Sequence, residues 1–336
     1  MKLSTSIEDL RLRHTFTISR GSQDVCRVVI ARVEDGKHTG YGEASPSSFY
    51  AEDVDSVVRA LDGVRGSLEG RDPTRFRDLL SDAAESLGPN RAALCALDTA
   101  VLDWASRELG APLWRMLGLD PTQAPPSSFT IGIDTPERMV EKLREAKALG
   151  YGIYKVKLGT GDDVDIVRRL RAESDAVLRV DANCAWTVRE TIEKSRELAA
   201  LGVEFIEQPL PPTELDAMEE VYAKSALPIV ADESSIAPED VPDLQGRFHG
   251  INIKLVKCGG ILPALRMVHL ARTFGMKVMF GCMIESSVGI TAAAQLGGFA
   301  DWLDLDGNVL ITNDPFAGVE NHAGRLVLPS GWVERR

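Results

Sequence analysis

Residues Tyr154–Asp163 read YKVKLGTGDD and place two lysines, Lys155 and Lys157, two apart inside an apolar run. Strand side chains alternate between faces, so residues two apart point the same way. Both ammonium groups then face one side of what reads as a buried strand. A buried amine without a partner or a task is costly. The rest of the chain has to supply one or the other.

Working outward from this strand, short apolar strands are expected to begin near Ser128, Ile153, Val177, Val203, Pro228, Gly250, Met276 and Trp302. After the first, the starts are spaced by roughly 25 residues, the length of one strand, one helix and two loops. Helix-period segments such as PERMVEKLREAKALG and TIEKSRELAALG fill the gaps. Eight strands alternating with helices is the arithmetic of a closed β/α barrel. A doubly wound open sheet is the alternative, and the even spacing favours closure. Upstream, VCRVVIARVEDGKHTGYGEA (Val25–Ala44) reads as a hairpin turning at Asp35-Gly36. RAALCALDTAVLDWASRELG (Arg91–Gly110) reads as a helix with a glycine stop. The first part as a whole reads as α+β, and the proline-rich LDPTQAPP (Leu119–Pro126) marks the boundary with the barrel.

Composition narrows the function. The 336 residues suffice for two domains or one large barrel with an appendage. A net charge of −12 argues against nucleic acid, whose binders carry basic patches. No apolar run spans a bilayer, and MKLSTSIEDL lacks a signal-peptide core, so membrane association is not expected. Five cysteines, scattered and odd in number, read as reduced thiols of a cytoplasmic protein and not as a metal site.

In β/α barrels the functional side chains sit at the C-terminal ends of the strands. Here those ends carry Lys155 and Lys157, then Asp181, Glu207, Asp232 with Glu233, Lys254 with Lys257, and Asp304 with Asp306. Asp181, Glu207 and Asp232 come from three consecutive strands and would converge. Like charges raise one another's pKa, and a hard divalent cation relieves the crowding. No histidine joins them, which disfavours zinc and favours Mg²⁺. The second and sixth strands lie opposite each other in an eight-membered ring. Lys157 and Lys254 would thus reach the axis from opposite sides, suited to removing a proton from one face of a carbon and returning one to the other. Burial and a nearby cation would both lower a lysine pKa towards that of a usable base. Lys155 would assist Lys157 or touch a substrate carboxylate. Lys257, three beyond Lys254, is expected to turn away, and Glu233 to play a supporting part. Asp304 and Asp306 share a face opposite the carboxylate cluster and suit a substrate ammonium group. Arg20, in TISRGS, would reach over the barrel mouth towards a substrate side-chain carboxylate.

The set KVK, DAN, EQP, DES, INIK and DLD resembles the enolase superfamily, its muconate-lactonizing subgroup, and within it the dipeptide epimerases of the L-Ala-D/L-Glu type. FGCMIESSVGITAAA (Phe280–Ala294) is similar to the seventh-strand region of that group. A lysine or histidine base with Mg²⁺ stabilising an ene-diolate is the known pattern of that superfamily. The resemblance implies a modified TIM barrel, (β/α)7β, with an N-terminal α+β capping domain completed by the C-terminal tail. The expected divisions are 1–122 for the cap, 123–310 for the barrel and 311–336 for a tail packing back on the cap through GRLVLP. It also implies Asp181, Glu207 and Asp232 as ligands of Mg²⁺, Lys157 and Lys254 as acid and base, and Asp304 with Asp306 as the ammonium site. The implied reaction is a 1,1-proton transfer at Cα of the C-terminal residue of a dipeptide, through a metal-stabilised enolate. A homo-oligomer is expected. The alternatives are a cycloisomerase or o-succinylbenzoate synthase of the same subgroup, more distantly a Schiff-base aldolase, and a non-enzymatic barrel. No histidine ends the seventh strand, VMFGCM, where related sugar-acid dehydratases carry their base, which counts against dehydration.

Overall fold

The computed structural model describes residues 1–330 and 332–336. It opens with an antiparallel sheet of β1 (Lys2–Ile18), β2 (Gly21–Glu34) and β3 (Thr39–Ala44). The expected hairpin is β2–β3, with Glu34 paired to Thr39. The 17-residue β1 was not anticipated. Its burial is irregular: its pairing with β2 shifts register between Arg11 and Phe16, and there Leu12 bridges Ile311 of the C-terminal segment. It therefore carries no clean alternation to read.

Three helices cover this sheet: α1 (Val54–Leu68), α2 (Phe76–Leu87) and α3 (Arg91–Glu108), followed by the short α4 (Leu113–Met116). Helix α3 lies directly on β3, and two glycines allow the contact. A Cβ on Gly42 would sit 2.0 Å from the Ala96 carbonyl oxygen, and one on Gly40 2.1 Å from that of Ala100.

The barrel strands are β4 (Phe129–Ile131), β5 (Ile153–Lys157), β6 (Val177–Asp181), β7 (Val203–Glu207), β8 (Ile229–Ala231), β9 (Gly250–Ile253), β10 (Lys277–Gly281) and β11 (Trp302–Asp304). They run parallel in sequence order. The ring closes where Ser128 N–H donates to the Leu303 carbonyl at 3.0 Å and a parallel bridge joins Ser127 to Leu303. An open sheet is thereby excluded. Helices α5 (Pro136–Ala148), α6 (Asp163–Glu173), α7 (Val188–Ala200) and α8 (Met218–Lys224) follow the first four strands. After β8 the helix is replaced by a 3₁₀ segment, Pro238–Leu244, with Pro242 inside it. Proline removes a donor and blocks a regular α-helix there. The short α9 (Leu255–Cys258) leads into α10 (Ile261–Thr273), and α11 (Ser287–Ala294) precedes β11.

The barrel interior has two floors. Phe205, Val230 and Met279, with Trp302 against them, form a small apolar cluster separate from the main core. Two residues further along three of these strands, the inward positions become Glu207, Asp232 and Gly281. The period of two thus divides each strand into a lower apolar part that packs and an upper polar part that acts.

The cap is fastened to the barrel through buried carboxyl groups on helix N-termini. Asp98 of α3 accepts from Ile261 N–H at 2.6 Å and Leu262 N–H at 3.4 Å at the start of α10. Glu43 of β3 accepts from Ser286 N–H at 2.9 Å and Gly289 N–H at 3.1 Å at the start of α11. Helix N-termini leave unsatisfied donors and a partial positive charge, so each site suits an acceptor. In the tail, β12 (Phe316–Ala317) pairs with β15 (Glu334–Arg335), and β13 (Glu320–His322) with β14 (Arg325–Val327). GRLVLP supplies β14: its Gly324 carbonyl accepts from Ser127 N–H at 2.8 Å just before β4, and residues 325–329 line a cavity together with Pro112 and Trp114 of the first part of the chain. The residues beyond it touch the cap: Trp332 Nε1 donates to Ser106 Oγ at 2.7 Å, and Arg107 to Val333 O at 2.7 Å.

The glycine contact gives a test. Replacing Gly42 with alanine forces β3 off α3 and should destabilise the protein by about 2–3 kcal/mol in denaturant unfolding. Gly63, inside α1 with nothing within 4 Å of a built Cβ, is the control. Its replacement by alanine should stabilise by about 0.5–1 kcal/mol.

Candidate active site

The upper floor opens into a cavity of about 450 Å³ beneath the β1–β2 hairpin tip and the Pro46–Tyr50 loop. Asp181, Glu207 and Asp232 meet at its base, each buried, with one oxygen from each within 4.8 Å of the others. Four lysines surround them. Lys157 donates to Asp181 Oδ2 at 2.6 Å and Lys254 to Asp232 Oδ2 at 2.8 Å. Lys155 lies 2.8 Å from Glu207 Oε2, 2.7 Å from Asp304 Oδ2 and 3.3 Å from Asp181 Oδ2. Lys257 donates to Asp232 Oδ1 and to the Asp232 carbonyl, both at 2.6 Å.

Three of the expectations change. Lys155 does not line the cavity. Its ammonium is consumed by Glu207 and Asp304, so it joins the carboxylate cluster to the aspartate pair and has no donor to offer a substrate. Lys257 does not turn away, because the chain enters α9 after Lys254 and strand alternation no longer applies. Arg20 lines the cavity as expected, but its guanidinium is held 2.7 Å from buried Glu233 and lies over the Phe49 ring at 4.5 Å. Its charge is balanced within the protein.

The electrostatics follow from burial opposed by these pairs. Burial pushes Asp181 and Asp232 upward, but Lys157 and Lys155 outweigh it at Asp181, and Lys254 and Lys257 at Asp232. Both remain below the usual carboxylate range. Glu207 is different: burial and then Asp181 push it up to about 8 despite Lys155. The lysines therefore satisfy two carboxylates and leave the third short of positive charge. Glu207 Oε2, although near Lys155, is poorly aligned for a hydrogen bond and has no other partner among the described residues. An all-oxygen donor set with one under-compensated member fits a hard dication such as Mg²⁺. Burial also lowers Lys254, as expected from the sequence, yet the Asp232 carboxylate reverses the sign and holds it above the ordinary lysine value.

Asparagine and glutamine residues beside the acids hold them in place. Asn183 N–H donates to Asp181 Oδ1 at 2.9 Å. Gln208 Oε1 accepts from Asp232 N–H at 2.9 Å and Ser234 N–H at 3.1 Å. Asn183 and Gln208 adopt positive φ, 44° and 33°, at the turns leaving β6 and β7. Asn252 donates to Glu207 Oε1 at 2.8 Å. A Cβ on Gly281 would fall 2.5 Å from Asn252 Oδ1, so that glycine makes room for the amide. Asn252 was readable: it is two before Lys254 on β9 and so shares its inward face.

Across the ring, Asp304 and Asp306 line the cavity. Asp304 accepts from Ser128 Oγ at 2.6 Å as well as from Lys155. Burial opposes ionisation, but Lys155 and Lys157 hold Asp304 down at about 2. Asp306 accepts from Thr130 N–H at 2.6 Å, and burial and then Asp304 push it up to about 7. The pair presents negative charge facing the lysines. Above, burial together with Asp232 and Glu233 keeps the Tyr50 phenol neutral. No helix among the described residues is long and apolar enough to cross a membrane.

Residues 138–307 match the enolase C-terminal domain-like family, and residues 3–118 match the mandelate racemase / muconate lactonizing enzyme N-terminal domain. An L-Ala-D/L-amino acid epimerase of Maribacter sp. is 42% identical over 98% of this chain and 97% of its own. An L-Ala-D/L-Glu epimerase of Bacteroides thetaiotaomicron is 42% identical over 98% of this chain and 85% of its own. A solved dipeptide epimerase of Methylococcus capsulatus, complexed with Mg and L-Arg-D-Lys, is 34% identical, covers 98% of both chains and superposes with a TM-score of 0.92.

The fit of the cluster to a dication is measurable without turnover. Mg²⁺ at about 100 times its Kd should raise the unfolding free energy by about 2.7 kcal/mol, read as a higher Tm. Glu207→Gln should abolish the rise. An unchanged Mg²⁺ response in that variant would remove Glu207 from the ion site.

Proposed function

The chain belongs to the mandelate racemase / muconate lactonizing enzyme family of the enolase superfamily, and from that membership we propose that it is a Mg²⁺-dependent dipeptide epimerase. One observation carries the reading. Lys157 on β5 and Lys254 after β9 stand four strands apart in a ring of eight and line one cavity, each bonded to a different acid of the trio.

Asp181, Glu207 and Asp232 would hold Mg²⁺, which would supply positive charge to a substrate carboxylate that gains negative charge as its α-proton leaves. Asp304 and Asp306 hold the α-ammonium of the N-terminal residue. The Cα of the C-terminal residue then lies between the two lysines. The neutral amine of one lysine takes the Cα proton, and the ammonium of the other delivers a proton to the opposite face. The configuration inverts. Lys155 keeps Asp304 ionised and ties it to the acid trio. Asn183, Gln208 and Asn252 fix the carboxylate orientations, so that little reorganisation accompanies the reaction. The acids turned over in cycloisomerisation and o-succinylbenzoate synthesis carry no ammonium group for Asp304 and Asp306 to hold. Five free cysteines accord with a reducing cytoplasm. A homo-oligomer remains part of the proposal, to be read by sedimentation.

Incubation of dipeptides with the enzyme and Mg²⁺ in D₂O should place deuterium at Cα of the C-terminal residue with no change of molecular formula. EDTA should abolish exchange, Mg²⁺ should restore it, and borohydride should trap nothing. Lys157→Ala and Lys254→Ala should each lower epimerisation by about 10²–10⁴-fold. Each variant should still exchange the Cα proton of one stereoisomer, and the two variants should favour opposite stereoisomers. The same stereoisomer exchanged by both would refute the two-sided arrangement.

A further inference from the structure

Beside the catalytic cavity lies a second one of about 560 Å³, larger than the first. It sits between β1, strand β4, helix α5 and the segment after β11. The two cavities share Phe16, Thr130 and Leu310 as a common wall. The rest of its apolar lining includes Leu12, Phe129, Leu149 and Val309, none of which reaches the catalytic cavity.

We infer that this second cavity is a subsite for a large apolar side chain on the N-terminal residue of the dipeptide. The inference rests on the dipeptide reading and extends it to the class of N-terminal residue accepted. Thr130 gives the location. Its backbone N–H and its hydroxyl are both committed to Asp306, at 2.6 and 3.3 Å. An ammonium held by Asp304 and Asp306 therefore lies against the shared wall, and the N-terminal Cα next to it. From that Cα the side chain has one direction towards the lysines and acids and another towards the second cavity. The first cavity sets its lysines and acids under an apolar roof of Ile18, Phe49, Met283 and Ile284, whereas the second offers Leu12, Phe129, Leu149 and Val309 next to the shared wall, where burial of an apolar side chain is favourable.

The partition allows passage. Thr130 is fixed, but the remaining wall is Phe16 and Leu310, apolar side chains that are both only half-buried. Apolar side chains can rotate aside without loss of a hydrogen bond, and an apolar guest between them restores the contacts they give up. The charged groups of its lining are committed elsewhere: His14 meets Glu145 at 2.9 Å, Lys142 meets Asp134 at 2.9 Å, and Arg13 donates to the Val309 carbonyl at 3.0 Å. A cationic or anionic N-terminal side chain would lack a partner on the apolar stretch nearest the ammonium site.

The test compares N-terminal residues at a fixed C-terminal alanine, by deuterium exchange in D₂O with Mg²⁺. For the unaltered enzyme, kcat/KM should rise from Gly-L-Ala to L-Leu-L-Ala. A hydrophobic pocket distinguishes single methylenes by about tenfold or more. A fall with increasing size overturns the inference without any variant. Val309→Trp fills the second cavity from the segment after β11, at a side chain that lines this cavity and not the catalytic one. It should cut the ratio of kcat/KM for L-Leu-L-Ala over Gly-L-Ala by about tenfold or more. Leu149→Trp, on the more exposed rim, should shift the ratio the same way if Val309→Trp fails to fold. An unchanged ratio in a folded variant overturns the subsite alone. Absence of exchange with every dipeptide in the unaltered enzyme overturns the epimerase reading and this inference with it.

Discussion

The molecule is organised by the burial of five carboxyl groups, Asp181, Glu207, Asp232, Asp304 and Asp306, in one barrel mouth. Each is expensive to desolvate, and breaking a buried pair costs about 3–5 kcal/mol because the surviving charge stays behind. The chain answers with four lysines, Lys155, Lys157, Lys254 and Lys257, all buried in the same layer. Their arrangement is not symmetrical. Lys155 and Lys257 are wrapped by acceptors and complete the framework. Lys157 and Lys254 line the cavity and each touch the trio once. The same electrostatic demand therefore sorts the lysines into two that hold and two that face a ligand.

Strand alternation is what made so much of this readable. Once YKVKLG is taken as a strand, the inward positions of the other seven follow, and the acids fall on them. Closure came instead from the even spacing of eight strand starts, and the clustering of the three carboxylates from their place at the ends of three consecutive strands. The readings that failed lie where the period stops. Lys257 belongs to a helical turn, so counting by two mispoints it. Pro242 sits where a helix had been assumed, and β1 lacks the clean alternation of a half-buried strand. Lys155 obeyed the period, but the identity of its partners depended on which strands the ring sets beside and opposite it. The Arg20–Glu233 pair joins residues over two hundred positions apart, and nothing local in TISRGS or ADES announces it.

The letters that accompany the acids have their own physical content. The asparagine of DAN and the glutamine of EQP occupy left-handed backbone positions, from which Asn183 holds Asp181 with its backbone N–H and Glu233 with its side-chain amide, and Gln208 holds the turn after β8 with its side-chain carbonyl. Such conformations are disfavoured for residues with a Cβ, least of all for asparagine, and persist where surrounding bonds over-determine them. Alanine at either position would keep the fold's hydrophobic pattern intact and lose the geometry. The short motifs are thus mechanical units in which an acid and its clamp are spelled together.

Chemistry and selection are separated in space by the same logic. The acids and lysines stand at or just beyond the ends of strands whose lower halves pack into apolar clusters, and they gain rigidity from that packing. The cavity's roof comes from elsewhere: the hairpin tip with Phe16 and Arg20, and the Phe49–Tyr50 loop. These segments depend on the cap being held in place, by Asp98 and Glu43 gripping α10 and α11 and, at the mouth itself, by Arg20 on Glu233 and by Ser19 Oγ donating to the Asn183 carbonyl. A substitution in the roof can then change which side chains enter without moving a lysine or an acid. A substitution in the two helix grips would shift the whole roof while the barrel floor stayed as it is. Selectivity is therefore free to vary in this architecture because the side chains of the roof belong to the cap, while the acids and lysines belong to the barrel.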